Sequence, residues 1–130
     1  MARITIIDDD VEFAENTAAA LHKVGYIVNA LHATEGAVAA LGKDKPDLVI
    51  LDVMFPDNPV AGFDLARQIR HTKAIKDVPI ILLTGVNEEF PMDFSAKDID
   101  PEWMPVHDFI EKPVKMATLL RKVNRLLKSQ

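Results

Sequence analysis

The segment 48-LVILD-52 carries the strongest structural signal in this chain. Four consecutive aliphatic residues are followed by a carboxylate, with no polar residue among them. An unbroken apolar run of this kind is typical of a strand that helices cover on both faces, as in a parallel sheet. We therefore predict a central strand over residues 48–51, with Asp52 directly after its end.

Other apolar segments lie on both sides of this one, and amphipathic stretches separate them. The predicted strands are residues 4–7, 26–30, 48–51, 80–83 and 108–110. The predicted helices are residues 11–24, 34–43, 63–71 and 115–127. Strands that alternate with helices form βαβ units around a parallel sheet. The sequence therefore predicts an α/β fold in which a doubly wound, five-stranded parallel sheet carries helices on both faces.

Length and composition exclude several classes of function. With 130 residues and 48% hydrophobic content, the chain suits one core, and we expect a single domain over residues 1–130. A net charge of -5 gives no basic surface for nucleic acid, and no apolar run approaches the roughly 20 residues that span a bilayer. Cysteine is absent, which excludes thiolate chemistry, and the opening residues lack a secretory pattern, so we expect a cytoplasmic location.

Polar residues follow four of the predicted strands at the point where each strand ends. They are Asp8, Asp9 and Asp10 after the first strand, Asp52 after the third, Thr84 after the fourth and Lys112 after the fifth. In an open parallel sheet, ligands bind outside the carboxyl ends of the strands. Carboxylates crowded there repel each other, and a hard cation with oxygen ligands relieves that repulsion. The sequence therefore predicts a Mg²⁺ site at this edge of the sheet.

Asp52 is the candidate nucleophile of this cluster. Carboxylates form aspartyl phosphates, and phosphoryl transfer depends mainly on positioning and on neutralisation of charge. The Lys112 ammonium and the Thr84 hydroxyl are suited to binding phosphoryl oxygens. The predicted chemistry is therefore phosphoryl transfer to Asp52.

Four motifs, IIDDD, LVILDVMFP, ILLTG and FIEKPV, occur in the order and approximate spacing of response regulator receiver domains, and the chain resembles that family over essentially its whole length. The resemblance implies a flavodoxin-like sheet with strand order 2-1-3-4-5. It also implies a role in a two-component phosphorelay. The implied partners are a sensor histidine kinase or phosphotransfer protein and a downstream protein target, with a phosphorylation-dependent homodimer as a further possibility.

The resemblance assigns roles by position. It implies a metal site formed by Asp8, Asp9, Asp52 and the backbone carbonyl of Met54, a phosphoacceptor at Asp52, a switch hydroxyl and lysine at Thr84 and Lys112, and an aromatic switch at Phe109. A receiver domain of this kind is a signalling phosphoacceptor that catalyses only its own phosphoryl transfer and dephosphorylation.

The chain departs from the family pattern in two places. The segment after Asp52 is about two residues longer than usual, and the stretch from Gly85 to His107 is longer by several residues. That stretch contains three prolines, which cannot all lie within one regular helix, so we predict a fourth helix that is shortened to about residues 92–98 or displaced. Apolar residues in it either reshape the partner-binding surface or fill core space; they are Phe90, Phe94, Trp103 and Met104.

Several alternatives stay open. Asp8 and Asp10 also have the spacing of the two aspartates in the DxDx[TV] motif of haloacid-dehalogenase-type phosphatases, although Glu12 stands at its fifth position, no acidic pair follows Lys112 and Asp52 would have no role. A third possibility is a receiver-like binding module that does not use phosphorylation. At single positions, Asp10 is more simply a helix cap, and Phe109 could be a plain core residue. The histidines show no ligand spacing, and no zinc site is predicted.

Overall fold

A computed structural model describes residues 2–53, 61–85 and 108–128, except for the side chains of residues 84 and 85. Five strands lie within these ranges: β1 (Arg3–Ile7), β2 (Ile27–Leu31), β3 (Leu48–Asp52), β4 (Ile80–Gly85) and β5 (Asp108–Lys112). Four helices lie within the same ranges: α1 (Val11–Lys23), α2 (Ala37–Asp44), α3 (Ala61–Arg70) and α4 (Met116–Lys128). These elements alternate along the described part of the chain as predicted, with boundaries that differ by a few residues.

The five strands form one parallel sheet in the order β2-β1-β3-β4-β5. The order that the family resemblance implied is therefore confirmed. All five residues of β3 are buried, because this strand lies at the centre of the sheet with helices on both sides. β3 runs one residue further than predicted, so Asp52 is its last residue and is held by the sheet itself.

Two hydrophobic clusters cover the two faces of the sheet. One joins α2 and α3 to the sheet and includes Leu41, Leu51 and Leu65. The other joins α1 and α4 to the opposite face and includes Leu21 and Leu119. This arrangement confirms the predicted doubly wound fold, and it fixes each strand from both sides.

The first residues of α1 and α2 confirm one prediction from the sequence and correct another. Asp10 is the N-cap of α1, and its Oδ1 accepts a hydrogen bond of 3.0 Å from the backbone N–H of Phe13. The predicted start of the second helix at Thr34 was wrong, because α2 begins at Ala37. Gly36 adopts φ of +74°, a left-handed conformation that interrupts helical geometry before that point.

Several predictions fall outside the described residues. They concern the shortened fourth helix at residues 92–98, the longer segment after Asp52, and the apolar residues Phe90, Phe94, Trp103 and Met104. Among the described helices, none has both the length and the apolar character needed to cross a bilayer.

Candidate functional site

The carboxyl edge of the sheet brings two buried aspartates side by side. Ile7 of β1 is the register partner of Leu51 of β3. The next residue in the sequence is an aspartate in both cases, Asp8 directly after β1 and Asp52 as the last residue of β3, so the two are neighbours at the same edge. The Asp8 side chain is fully buried, and the Asp52 side chain is only 5% exposed. The predicted convergence of these two residues is therefore correct.

Asp9 and Lys112 complete the cluster. One carboxylate oxygen from each of Asp8, Asp9 and Asp52 lies within 4.8 Å of the other two, and Asp9 is the most solvent-exposed of the three. The Lys112 Nζ donates to Asp8 Oδ2 at 2.9 Å and lies 3.6 Å from Asp52 Oδ1. Lys112 ends β5, two strands away from β3, so its long side chain crosses the end of β4 to reach both aspartates.

The charges of this cluster do not balance. Three carboxylates face one described ammonium, and two of the carboxylates are almost completely removed from water. Burial alone would lower the pKa of Lys112, but hydrogen bonding to Asp8 and the negative charges of Asp52 and Asp8 outweigh it, so the pKa lies above its ordinary value. Lys112 therefore remains a cation at neutral pH.

The carboxylate cluster has the donor set that Mg²⁺ prefers. Its ligand atoms are hard oxygens that lie within 4.8 Å of one another, and the excess negative charge favours a divalent cation. Asp9 lies toward solvent, which leaves room for the water molecules that Mg²⁺ retains in most protein sites. Asp8, Asp9 and Asp52 therefore fit the predicted metal site.

Backbone contacts hold Asp8 from several directions. Its Oδ1 accepts a hydrogen bond of 2.9 Å from the backbone N–H of Asp10. Its backbone N–H donates to the carbonyl of Leu31 at 3.0 Å, and its own carbonyl accepts from Nδ1 of His32 at 3.1 Å. The Asp8 carboxylate is thus oriented by the start of α1 and by the segment after β2, in addition to Lys112.

Gly62 holds α3 close to the backbone of Asp52. A Cβ atom at this position would lie 2.5 Å from the carbonyl oxygen of Asp52 and 2.7 Å from Cα of Val53. Because real Cβ atoms do not approach backbone atoms so closely, only glycine lets α3 begin directly against the end of β3. Sequence reasoning missed Gly62, since a glycine next to an alanine in a helix gives no signal of a tertiary contact.

The remaining predicted site residues differ in how far the structure describes them. The backbone of Thr84 lies in β4, in register with Glu111 and next to Lys112, whereas its side chain is outside the described part of the molecule. Met54 is also outside the described residues. Phe109 is half-buried and packs against the cluster that α2 and α3 share with the sheet. Asp10 caps α1, which confirms its structural interpretation.

A second polar cluster lies at the opposite end of β5, and sequence reasoning did not find it. Asp108 is buried at the start of the strand, where its carboxylate forms ion pairs with Lys122, at 2.9 Å, and with Arg125, both from α4. Lys122 also donates to the carbonyl of Phe109 at 3.1 Å. The two basic residues are three positions apart on one helix, and this spacing was the available signal.

Comparison with known sequences gives a consistent result. A family model described as the response regulator receiver domain matches residues 4–124. The chain is 32% identical over 125 residues to the phosphate regulon transcriptional regulatory protein PhoB of Pseudomonas aeruginosa, covering 96% of this chain and 51% of PhoB. It is 30% identical over 127 residues to protein PilH of the same organism, covering 98% of each. The chain therefore spans about half the length of PhoB and nearly all of PilH.

Solved structures agree with the sequence comparison. The chemotaxis protein CheY4 of Vibrio cholerae superposes with a TM-score of 0.80 at 26% identity, covering 97% of this chain and 98% of CheY4. A response regulator from Desulfuromonas acetoxidans superposes with a TM-score of 0.79 at 26% identity, covering 98% of each chain. These similarities extend over the whole sheet and the helices on both of its faces.

Proposed function

The chain belongs to the response regulator receiver domains of two-component systems, and from this premise we propose that Asp52 is its phosphoacceptor and that Asp8, Asp9, Thr84 and Lys112 assist the transfer. The observation that carries the proposal is the position of Lys112. Its ammonium lies within 3.6 Å of a carboxylate oxygen on each of Asp8 and Asp52, so a cation is already present where phosphoryl charge would develop.

The proposed step is an in-line displacement at phosphorus. An oxygen of the Asp52 carboxylate forms a P–O bond while the P–N bond of a phosphohistidine on the donor protein breaks. The electron pair of that bond stays on the ring nitrogen, and because the other ring nitrogen carries a proton, the donor histidine leaves as a neutral imidazole. Lys112 attracts a phosphoryl oxygen, and the Thr84 hydroxyl donates to another. The histidine donor is a sensor kinase or a phosphotransfer protein.

Metal binding is part of this proposal. Asp8, Asp9 and Asp52 would hold Mg²⁺ together with the backbone carbonyl of Met54, and they supply oxygen ligands only. When bound, the metal neutralises excess carboxylate charge and charge on a phosphoryl oxygen. Hydrolysis of the phosphorylated state by water, without a separate phosphatase, belongs to the same proposal.

The output of the domain is proposed to pass through β5. Phosphorylation draws Thr84 and Lys112 toward the phosphoryl group, and Phe109 on the same strand as Lys112 changes its packing. This change alters a surface that binds a downstream protein or a second copy of the chain. We place this domain, residues 1–130, in the cytoplasm, where a histidine kinase would meet it.

Intact mass spectrometry tests the proposal directly. Wild-type protein incubated with acetyl phosphate and Mg²⁺ should gain the mass of one phosphoryl group, and Asp52→Asn should gain none, because an amide is not a nucleophile here. Asp108→Asn is the matched control, since it alters another buried aspartate of the same fold and should retain uptake. Uptake at the wild-type rate by Asp52→Asn would refute the assignment.

The two alternative functions give different results in the same experiment. A haloacid-dehalogenase-like phosphatase would turn over phosphodonor through Asp8 and release free phosphate. Lys112 holds Asp8 at 2.9 Å and the Asp10 carboxylate caps α1, which disfavours Asp8 and Asp10 as a nucleophile and acid pair. A binding module that does not use phosphorylation would yield neither adduct nor turnover.

A further inference from the structure

The ammonium of Lys112 contacts an aromatic ring as well as the two aspartates. Its Nζ lies 4.7 Å from the centroid of the Phe13 ring. Phe13 is in the first turn of α1, half-buried, and packs against the cluster that α1 and α4 share with the sheet. A cation at this distance from a phenyl face is attracted by the negative electrostatic potential of the ring. Phe13 is therefore a third described partner of Lys112.

We propose that Phe13 is a positioning residue that holds the Lys112 ammonium at the phosphorylation site through this cation–π contact. The inference rests on the proposed function, because it assigns Phe13 a role only through the role of Lys112. The Lys112 side chain has a flexible four-carbon stem. Without the contact with Phe13, it would lose considerable conformational entropy when it binds Asp52 from β5. The contact with the Phe13 ring orders the end of the Lys112 side chain before a phosphoryl group is present.

Phe13 and Lys112 belong to a cycle of four contacts that also includes Asp8 and Asp10. The Asp8 Oδ1 accepts from the backbone N–H of Asp10 at 2.9 Å, and the Asp10 Oδ1 accepts from the backbone N–H of Phe13 at 3.0 Å. The Phe13 ring faces Lys112, and the Lys112 Nζ returns to Asp8 Oδ2 at 2.9 Å. The N-cap of α1 thus fixes the ring relative to the carboxylate that the ammonium shares, so the geometry of each contact depends on the others.

An aromatic face suits this position better than another acidic group would. A carboxylate in place of Phe13 would use one of the ammonium's N–H donors and add a negative charge beside the phosphoryl group. The ring attracts the whole charge without fixing the direction of any N–H bond. Lys112 can therefore turn its donors from Asp8 toward phosphoryl oxygens while it stays over the ring.

Fluorination of Phe13 separates this electrostatic role from simple packing. Mono-, di- and trifluorophenylalanine at position 13 progressively weaken the negative face of the ring with little change in shape. The rate of adduct formation with acetyl phosphate and Mg²⁺ should fall stepwise, by about two- to fivefold across the series. The same series at Phe63, which packs on the opposite face of the sheet, should leave the rate unchanged. A flat series at position 13 in variants with wild-type melting temperatures would overturn the proposal.

Nuclear magnetic resonance tests the contact without any phosphodonor. The ε-methylene protons of Lys112 should be shifted upfield by the ring current of Phe13, and Phe13→Leu should abolish that shift while keeping an apolar side chain in the cluster. Normal uptake with no ring-current shift, or with a flat fluorine series, would reject the role of Phe13 alone. Failure of the wild-type protein to form any adduct would instead reject the proposed function, and the ring-current result would still report whether Phe13 holds Lys112.

Discussion

The two ends of β5 carry ionic clusters of opposite composition. At the carboxyl end, Lys112 faces Asp8, Asp52 and, through them, Asp9, so acid exceeds base. At the amino end, the single carboxylate of Asp108 faces Lys122 and Arg125 from α4, so base exceeds acid. Both clusters include a buried aspartate, and both are built on the same strand.

The two clusters differ in how many described basic groups their carboxylates contact. Asp108 has a described basic partner on each carboxylate oxygen, and the excess positive charge is on Arg125, whose side chain is 65% exposed. Asp8 and Asp52 share one ammonium, and the excess negative charge is buried. A buried carboxylate with a basic partner on each oxygen holds elements together, whereas a cluster in which carboxylates outnumber the described cations favours binding of an additional cation.

Asp108→Ala should produce the largest effect on stability. It removes the carboxylate that joins β5 to α4 and leaves the half-buried Lys122 without that partner, so we expect the free energy of unfolding to fall by about 2–3 kcal/mol. Urea denaturation measures this change. Asp64→Ala, which breaks an exposed pair with Arg67, is the control and should cost less than about 0.5 kcal/mol. Equal losses in the two variants would mean that the Asp108 cluster has no special structural role.

Magnesium should stabilise the protein through the cluster at the carboxyl end of β5 and not through the Asp108 cluster. This is the second largest effect that we expect on stability. At a concentration tenfold above its dissociation constant, a cation that binds only the folded state stabilises it by about 1.4 kcal/mol. The double variant Asp8→Ala, Asp9→Ala should lose this gain, and Asp108→Asn should keep it. Thermal unfolding with and without Mg²⁺ gives the measurement. A gain that survives in the double variant would place the cation elsewhere.

Asp52→Asn should raise stability in the absence of divalent metal, by about 1 kcal/mol. The change removes one of three mutually repelling carboxylates, and Lys112 keeps its shorter contact with Asp8. The comparison is made by urea denaturation in the presence of a chelator, with Asp64→Asn as an exposed control. A loss of stability would show that the 3.6 Å contact between Lys112 and Asp52 outweighs the repulsion.

Thr5→Val tests a buried polar group outside both clusters and should have the smallest effect. The Thr5 hydroxyl is buried without a hydrogen-bond partner among the described residues, at a cavity of about 240 Å³ that Asn29 and Asp44 also line. We expect a gain of about 0.5 kcal/mol, because valine removes an unsatisfied hydroxyl. Thr72→Val, which removes a bond to the Gln68 carbonyl, should lose stability instead. A loss for Thr5→Val would indicate a water in the cavity that binds the hydroxyl.

The sequence predicted the carboxyl-end cluster because strand ends are visible in a sequence. An apolar run that stops at a polar residue locates both the strand and the side chain that follows it, as at Asp8 and Asp52. The parallel sheet then brings those side chains together without further information. The sequence alone therefore locates Asp8, Asp52 and Lys112, and it identifies their neighbour Asp10 as a helix cap.

The amino-end cluster and the Phe13 contact could not be predicted in the same way. Asp108 begins a strand, and its partners lie 14 and 17 residues later on a helix whose rotation about its axis decides which side chains face β5. Phe13 occupies an apolar position of α1, where an aromatic residue looks like any other core residue. Gly36 similarly shifted the start of α2, because a left-handed glycine overrode the capping signal of Thr34.

The close approach of Gly62 to the Asp52 carbonyl also has a consequence for protein engineering. Residues 54–60 connect two points that are in close contact, Val53 directly after the central strand and Gly62 in the first turn of α3. A library that randomises residues 54–60 should keep Gly62 unchanged, because Gly62 sets how closely α3 approaches the backbone of Asp52. Randomising Gly62 itself would remove most members of the library, since any larger side chain collides with the backbone of Asp52 and Val53.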